Sequence, residues 1–504
     1  MVGCASRPPP LPPPVPGLLA PAGTPVTHYG AAVELGEPRP LRTALATEAV
    51  RLADQGKRPR PELDGPLSAV AEALAHAGRG ETPDAGAVDF AAGHYGVAVP
   101  IPSVLVMKGR GSTGDFVRQI SPVLEQVLRR GRYNRLGVGV AAVEGDEVVV
   151  LLLQEDAVAL EPVPRHLPVG GSAPIRGRIQ GHREAQVLAT GADGRVQVLQ
   201  QGSDRFDASF QCAAEGRHRV EVMGTHRGGP VVLANFSIYC GAPPPTKLAI
   251  TLGVGSNLDA QEAEQVLLTA VNRERKQQDL PPLKWDERLA EVARGHSEDM
   301  RTHGFVGHIS PTTGSPGDRV KAARLVAGTV EENVGVGPSP ETVHTGLMES
   351  PAHRAAILSA SATAIGIGVV RRQRQGMADY FTTQVLTGPP APVDAAAARA
   401  AIEAKLSGRQ PDAGLQAVAQ SLAQDLATGR LDPDDTQAAT KKRLKNQKVV
   451  LETLAALAGV GPTPATLLKD PVFARSDLPR FGVGVAAGEQ GGYPTLFTVV
   501  LLGR

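Results

Sequence analysis

One short pattern recurs three times in this chain and limits its possible folds more than any other feature. Leu136-Gly137-Val138-Gly139-Val140-Ala141 matches Ile365-Gly366-Ile367-Gly368-Val369-Val370 and Phe481-Gly482-Val483-Gly484-Val485-Ala486. Apolar residues alternate with glycine in each copy. That is the period of a strand, and glycine inside a strand marks a place where another backbone comes close. A second apolar, strand-like run follows each copy, at 148–153, 380–386 and 495–502. A helical stretch precedes each, at 116–130, 340–358 and 464–473, and further upstream lie two more helices, the second opening at Leu67, Leu289 and Leu415. Self-similarity on this scale means one supersecondary unit used repeatedly. The expectation is three copies of one α/β/α module, at about 35–155, 248–388 and 393–504.

Residues 160–245 follow another rule. Glycines recur between short alternating runs such as Arg195-Val196-Gln197-Val198-Leu199 and Arg217-His218-Arg219-Val220-Glu221-Val222. Short strands at regular turn spacing predict a β-sandwich of the immunoglobulin type. Proline-rich pieces at 243–245 and 388–392 bound the neighbouring segments. The fold class is therefore multidomain, α/β plus all-β: three α/β/α sandwich modules and one β-sandwich.

The chain has only three cysteines, Cys4, Cys212 and Cys240, which excludes a disulfide-stapled scaffold and a zinc ribbon. The spacing of Cys212 and Cys240 suits a strand-to-strand bridge in an oxidising compartment, and two reduced core thiols are the equal alternative. In 504 residues, 52 Lys and Arg face 51 Asp and Glu, so nothing marks a nucleic-acid surface. The basic run Lys441-Lys442-Arg443 with Lys445 and Lys448 lacks interleaved aromatics and reads as a solvated helix face. No apolar stretch approaches the ~20 residues that span a bilayer. At the start, Gly3-Cys4-Ala5-Ser6 resembles the end of a bacterial lipoprotein signal, which implies acylation of Cys4 and an upstream start codon. The expected first segment, 1–34, also contains a polyproline tether at 8–16.

The central copy differs from its neighbours in carrying three polar phrases: Gly304-Phe305-Val306-Gly307-His308-Ile309-Ser310-Pro311, Glu331-Glu332-Asn333-Val334-Gly335, and Ser350-Pro351-Ala352-His353-Arg354. With Asn272-Arg273-Glu274-Arg275, Leu283-Lys284-Trp285-Asp286, Ser315-Pro316-Gly317-Asp318-Arg319-Val320 and Tyr380-Phe381-Thr382-Thr383-Gln384-Val385 they resemble, in order, the bacterial branch of the CAP superfamily, also called SCP-like. The resemblance covers about a quarter of the chain. It implies a CAP α/β/α sandwich at 248–388 and a cavity lined by histidines and acids. His308 corresponds to the first family histidine and Glu332 to the first acid. The second acid corresponds to Ser350, the family tryptophan has become Leu347, and the second histidine of animal and plant members is Phe381 here. Bacterial members offer the histidine of the third phrase, here His353. The outer copies are degenerate: Phe473 stands opposite His353, and the first copy has only Leu128-Arg129-Arg130-Gly131 in that region.

A His308, Glu332 and His353 triad has three chemical uses. It matches a low-specificity site for Zn2+ or another divalent cation with one open position. A Glu-oriented histidine can act as general base on Ser310 or Ser350, although no nucleophile elbow is present. The favoured use is a polar cluster lining a binding groove with Ser350. His296, at helical spacing from Leu289, Ala293 and Met300, reads as a core histidine, and Trp285 as a core plug. Asn333 reads as a turn former, Arg354 as a cap or ion-pair partner of its helix, and His303 and His344 as surface residues. The resemblance thus implies an exported, extracytoplasmic cell-envelope protein that binds or scaffolds a lipid, sterol-like or wall ligand and meets membrane only through lipidated Cys4. A metal-assisted hydrolase acting on peptide or wall material is the alternative.

Overall fold

Each Gly-x-Gly strand lies directly beneath a helix backbone. A Cβ on Gly137 would sit 2.4 Å from Leu67 O, one on Gly366 2.1 Å from Ala290 N, and one on Gly482 2.3 Å from Leu415 C. The second glycines are as tight, with Gly139 2.2 Å from Ala71 C, Gly368 1.9 Å from Arg294 N and Gly484 2.0 Å from Ala419 O. The three helices, Gly65–Gly78, Glu287–His303 and Ala413–Ala427, open in the same way. Asp64, Asp286 and Asp412 each cap their helix by accepting from the amide of Leu67, Leu289 and Leu415, which satisfies one of the orphan amide donors of the first turn.

The computed structural model describes residues 15–30, 39–252, 256–325, 327–374, 377–390, 392–490 and 493–504. The chain divides into two compact units, Met1–Leu325 with Val330–Thr387, and Val326–Thr329 with Gly388–Arg504. In the second unit, one sheet runs Gln410–Pro411, Arg480–Gln490, Tyr493–Gly503, Leu454–Gly461, with the first pair parallel and the other two antiparallel. The first unit contains a sheet of the same order, Glu62–Leu63, Arg135–Val143, Asp146–Gln154, Ser103–Gly109.

The central part of the first unit comprises α1 (Ala260–Gln277), β1 (Lys284–Trp285), α2 (Glu287–His303), α3 (Pro316–Ala322), β2 (Thr329–Gly337), α4 (Pro340–Met348), α5 (Pro351–Ile357), β3 (Ala364–Arg374) and β4 (Met377–Gly388). Its sheet order is β1-β3-β4-β2, again the same. Ile365, Ile367 and Val369 alternate with the glycines and point to the opposite face. There they pack with Leu267 and Val271 of α1 and Val343 and Leu347 of α4. The result is three layers, with α2 on the glycine face and α1 and α4 on the aliphatic face. Each fully buried Leu, Ile or Val stabilises this packing by ~1.5–3 kcal/mol.

Residues 158–240 form a three-stranded sheet (Arg205–Gln211, Ser172–Ile179, Val158–Leu160) and a five-stranded one (Val196–Gln201, Arg183–Thr190, Gly216–His226, Gly229–Cys240, His166–Leu167). Ile175, Phe206 and Phe210 of the first share one core with Val187, Val220 and Phe236 of the second. Cys212 and Cys240 are disulfide-bonded, their Cα atoms 5.6 Å apart, within the ~7 Å limit for a bridge. Cys4 lies outside the described residues. Val15 and Pro16, expected at the end of a free tether, instead belong to a strand, Val15–Leu19, that pairs antiparallel with Leu248–Leu252. Pro16 is tolerated because the pairing is a two-stranded ribbon with open edges, and Leu19 buries itself against Leu67 and Val70 with Ile250 and Leu252.

Gly368→Ala should lower the unfolding free energy by about 3 kcal/mol or more in urea titrations, because helix backbone cannot yield as a side chain can. Gly295→Ala, on α2 with open space around it, should leave stability unchanged or raise it by up to ~1 kcal/mol. Replacing both Cys212 and Cys240 by Ala, which opens a loop of sequence separation 28, should cost about 3–4 kcal/mol in the same assay.

Candidate functional site

α2 carries the inner wall of the site. It ends at Gly304, whose φ of +70° turns the chain back over the helix. Ser297 Oγ donates to Gly368 O at 2.8 Å and ties α2 to β3. His296 is fully buried, and its Nε2–H donates to Gly307 O at 2.9 Å, pinning the loop that carries His308. Asp299 holds the far end of that loop by accepting from Ser310 Oγ and from Thr312 Oγ1 at 2.8 Å, while His303 Nδ1 lies 2.7 Å away. Burial works against ionisation of Asp299, but these donors prevail and hold its pKa below the usual carboxylate value. The hydroxyl of Ser310 is thus committed to a carboxylate and is not paired with an imidazole base.

Glu332 is the hub. It sits inside strand β2, not at the turn expected from Asn333 and Gly335, and strand alternation sends neighbouring Glu331 to the other face, where Ser359 Oγ donates to it at 3.0 Å. Glu332 Oε1 accepts from His308 Nδ1 at 3.1 Å and lies 3.8 Å from His296 Nε2, while Oε2 pairs with Arg319 Nη2 at 2.5 Å. Arg319, on α3, also donates to Gly314 O at 2.7 Å and His308 O at 3.2 Å. Asn333 is no turn former: its buried amide donates to His353 O at 3.2 Å and Gln384 Oε1 at 3.1 Å.

His353 comes within reach of this hub, its ring centroid 6.4 Å from that of His308. Burial, with His308 beside it, pushes its pKa down to about 4, so the ring is neutral near pH 7. Its Nδ1 is 2.8 Å from Ser350 Oγ, and Ser350 in turn donates to Glu221 Oε2 at 2.6 Å. Glu221 belongs to the strand Gly216–His226 of the β-sheet region and is fully buried. Its Oε1 accepts from Ala352 N at 2.9 Å, in the first turn of α5. Burial, only partly offset by these hydrogen bonds and by Arg219, raises the Glu221 pKa to about 7. Arg354, expected to cap or pair within its own helix, reaches the same region and donates to Gly194 O at 2.8 Å.

His308, Glu332 and His353 are brought together, with Ser350 beside them. They do not form the metal set considered for them. Both Glu332 oxygens are engaged, one by a cation, His353 Nδ1 faces a hydroxyl, and among the described residues no group of three or more His, Cys, Asp or Glu side chains is placed to hold a metal ion. His344 is not a surface residue: it is buried 3.7 Å from Glu274, and burial lowers its pKa. His303 is exposed as expected but partnered by Asp299. Trp285 is only partly buried and donates Nε1–H to Glu287 Oε2 at 2.9 Å. Arg319 and Glu221 were missed. Arg319 sits in an ordinary capping sequence, whereas Glu221 is flagged by lying between Val220 and Val222 in a strand.

A crevice of about 1490 Å³ opens beside His353 and Ser350. Its walls include Val334 and Val336 of β2, Val104 and Val106 of the first sheet, and Arg217 and Arg219 of the β-sheet region; His308 and Glu332 do not line it. Arg219 donates to Asp89 at 2.7 Å and to Glu349 O at 3.2 Å, and Arg217 to Glu349 Oε2 at 2.6 Å, so these cations are already paired.

Residues 268–386 match the family model described as CAP, the cysteine-rich secretory protein family, and the chain carries a domain of the CAP superfamily. It is similar to the uncharacterized protein YkwD of Bacillus subtilis (strain 168), 40% identical over 125 residues, 25% of this chain and 48% of that protein. It is also similar to the uncharacterized membrane protein YlbC of the same organism, 35% identical over 112 residues, 22% of this chain and 32% of that protein. The chain thus spans about half or less of the curated relatives it matches. Among solved structures, an extracellular protein containing a SCP domain from Bacillus anthracis str. Ames is 21% identical, covering 35% of this chain and 65% of that one, with a TM-score of 0.24. Among the described residues no helix is long and apolar enough to cross a membrane.

Arg319→Met should destabilise the chain by about 3–5 kcal/mol in denaturant titrations, because it strands the buried Glu332 carboxylate. Combining it with Glu332→Gln should restore part of that loss, since the uncompensated charge is removed as well.

Proposed function

We propose that this chain is an exported cell-envelope protein whose CAP domain binds a lipid, sterol-like or wall ligand and does not cleave it. The observation that carries this reading is the saturation of Glu332, whose two oxygens are taken by His308 and Arg319. A carboxylate so engaged is a poor metal ligand, and although it orients His308, the hydroxyls that imidazole could activate are committed elsewhere, Ser310 to Asp299 and Ser350 to Glu221. The crevice at His353 and Ser350 supplies the concavity. Its volume of about 1490 Å³ exceeds the ~300–1,000 Å³ typical of small-molecule sites and suits an extended or polymeric ligand. Its wall sets apolar groups such as Val104, Val106 and Val334 beside polar ones, among them His353, Ser350 and Asn235.

In this reading the regions 35–155 and 393–504 are degenerate copies of the CAP module at 248–388, and 160–245 is an immunoglobulin-like sandwich. The shared sheet order, aspartate caps and glycine contacts support the three-copy arrangement. The Cys212–Cys240 bridge supports an oxidising compartment and hence export, with lipidated Cys4 as the membrane attachment.

The full chain, with Cys4→Ser to remove any acyl anchor, should cosediment with purified peptidoglycan sacculi or with phosphatidylglycerol vesicles. His353→Ala should weaken that binding tenfold or more, equivalent to ~1.4 kcal/mol. Release of soluble fragments from the sacculi, with or without added zinc, would establish the hydrolase instead. Failure to bind either probe would remove the binding reading.

A further inference from the structure

The β-sheet region contributes a residue to the CAP site. Glu221 Oε2, Ser350 Oγ and His353 Nδ1 form a chain with steps of 2.6 and 2.8 Å. A serine hydroxyl has one proton. When Ser350 donates it to the Glu221 carboxylate, Ser350 can only accept from His353, so Nδ1 must carry the ring proton. Nε2 is then the unprotonated nitrogen, an acceptor. We propose that Glu221 is a positioning residue that acts through Ser350 to choose which ring nitrogen of His353 bears the proton, so that the CAP site is a composite of two regions of the chain.

The alternative state of the same chain follows from the same atoms. A protonated Glu221 donates to Ser350, Ser350 donates its own proton to His353 Nδ1, and the ring proton resides on Nε2. No heavy atom moves: Glu221 takes one proton from solvent, the Ser350 hydroxyl rotates, and the ring gives up its proton at Nδ1 to solvent and takes one at Nε2, so the charge of the imidazole does not change. Ala352 N–H continues to donate to Oε1 in both states, since that oxygen accepts throughout. The groups facing the carboxylate are few: Ser350 and Ala352 from the CAP side, and Arg219 and the Asn235 amide, 3.3 Å from Oε2, from the β-sheet side. On the other side of His353, His308 is the titratable neighbour and Asn333 holds the backbone carbonyl. Burial raises Glu221 to about 7 and lowers His353 to about 4. Glu221 therefore changes protonation in a range where the His353 ring stays neutral, which separates the two events. If the crevice binds its ligand as proposed above, a donor-seeking and an acceptor-seeking ligand would be favoured at different pH.

The test reads the tautomer and needs no ligand, so it stands apart from the binding assay. In the full chain with ¹⁵N-labelled histidine, long-range ¹H–¹⁵N spectra report each ring, and His353→Gln assigns the relevant one. At about pH 8 the parent should show protonated Nδ1 and unprotonated Nε2. Glu221→Gln supplies an amide that donates to Ser350 while its carbonyl still accepts from Ala352. In that variant the two nitrogens should exchange character, with Nε2 becoming the protonated one. Lowering the parent to about pH 6 should produce the same exchange, also in a His308→Gln background, and this arm applies even where Glu221→Gln does not fold. Ser350→Ala should abolish the response to pH. An identical His353 tautomer in parent and Glu221→Gln, or one in the parent that does not change between the two pH values, overturns the proposal, as does a response that survives Ser350→Ala.

Discussion

The contact between the backbone of α2 and the two glycines of β3 is the constraint on which the rest of the central region depends. With Cβ atoms at these positions the helix would have to rise from the sheet, and the polar groups that tie it to the sheet and to the following loop would lose their partners. Ser297 would leave Gly368 O, His296 would leave Gly307 O, and Asp299 would leave the Ser310 loop. The loop bearing His308 is therefore placed by packing, through hydrogen bonds that need the helix at its present height. Asp286 adds the start point, because its cap fixes where the first turn begins and hence which side chains face inward. The packing of one helix backbone on a glycine strand so determines the positions of polar groups up to ~1.5 helical turns beyond the contact.

This division explains what was legible in the amino-acid sequence. Glycine alternation, the apolar runs and the leucines opening each second helix are local and periodic, so the strands and the overlying helices could be read directly. His308, Glu332 and His353 could be grouped because each stands in a recognisable phrase. Their partners could not. Arg319 looks like any cation in a short helix, and only the fold swings it onto Glu332. Asn333 looks like a turn residue, yet it lies mid-strand with its amide bonded to His353 O. His344 has no apolar signature of its own and is buried because α4 packs face-on against α1. Glu221 belongs to a region of another fold, so no spacing within the CAP segment points to it.

On the proposed three-copy reading, the region 393–504 indicates what the module requires without the site's chemistry. Ser350 and Asp470 both cap the turn that follows them, Ser350 through His353 N and Asp470 through Val472 N. The cap survives because an uncapped turn costs ~1 kcal/mol whatever the function. Three residues on, Phe473 stands opposite His353 in that reading, and it is buried in the core of its own unit with Leu467 and Leu478. A phenyl ring fills the volume of an imidazole without needing a hydrogen-bond partner, so the substitution is tolerated wherever no partner is supplied. His353 has such a partner because Ser350 and, behind it, Glu221 are present.

That dependence bears on how the central domain should be treated. Excised at its boundaries, it would lose Glu221 from Ser350 and Ala352, Arg219 and Arg217 from Glu349, and Gly194 from Arg354. A buried polar group left without its partner costs ~1–3 kcal/mol, more when a charge is involved, although newly exposed groups recover part of this from water. Several such losses together rival the ~5–15 kcal/mol by which whole domains are stable. The stretch that matches the CAP family is thus a part of a larger cooperative body. The setting of His353 depends on a carboxylate, Glu221, that lies outside the matched residues 268–386.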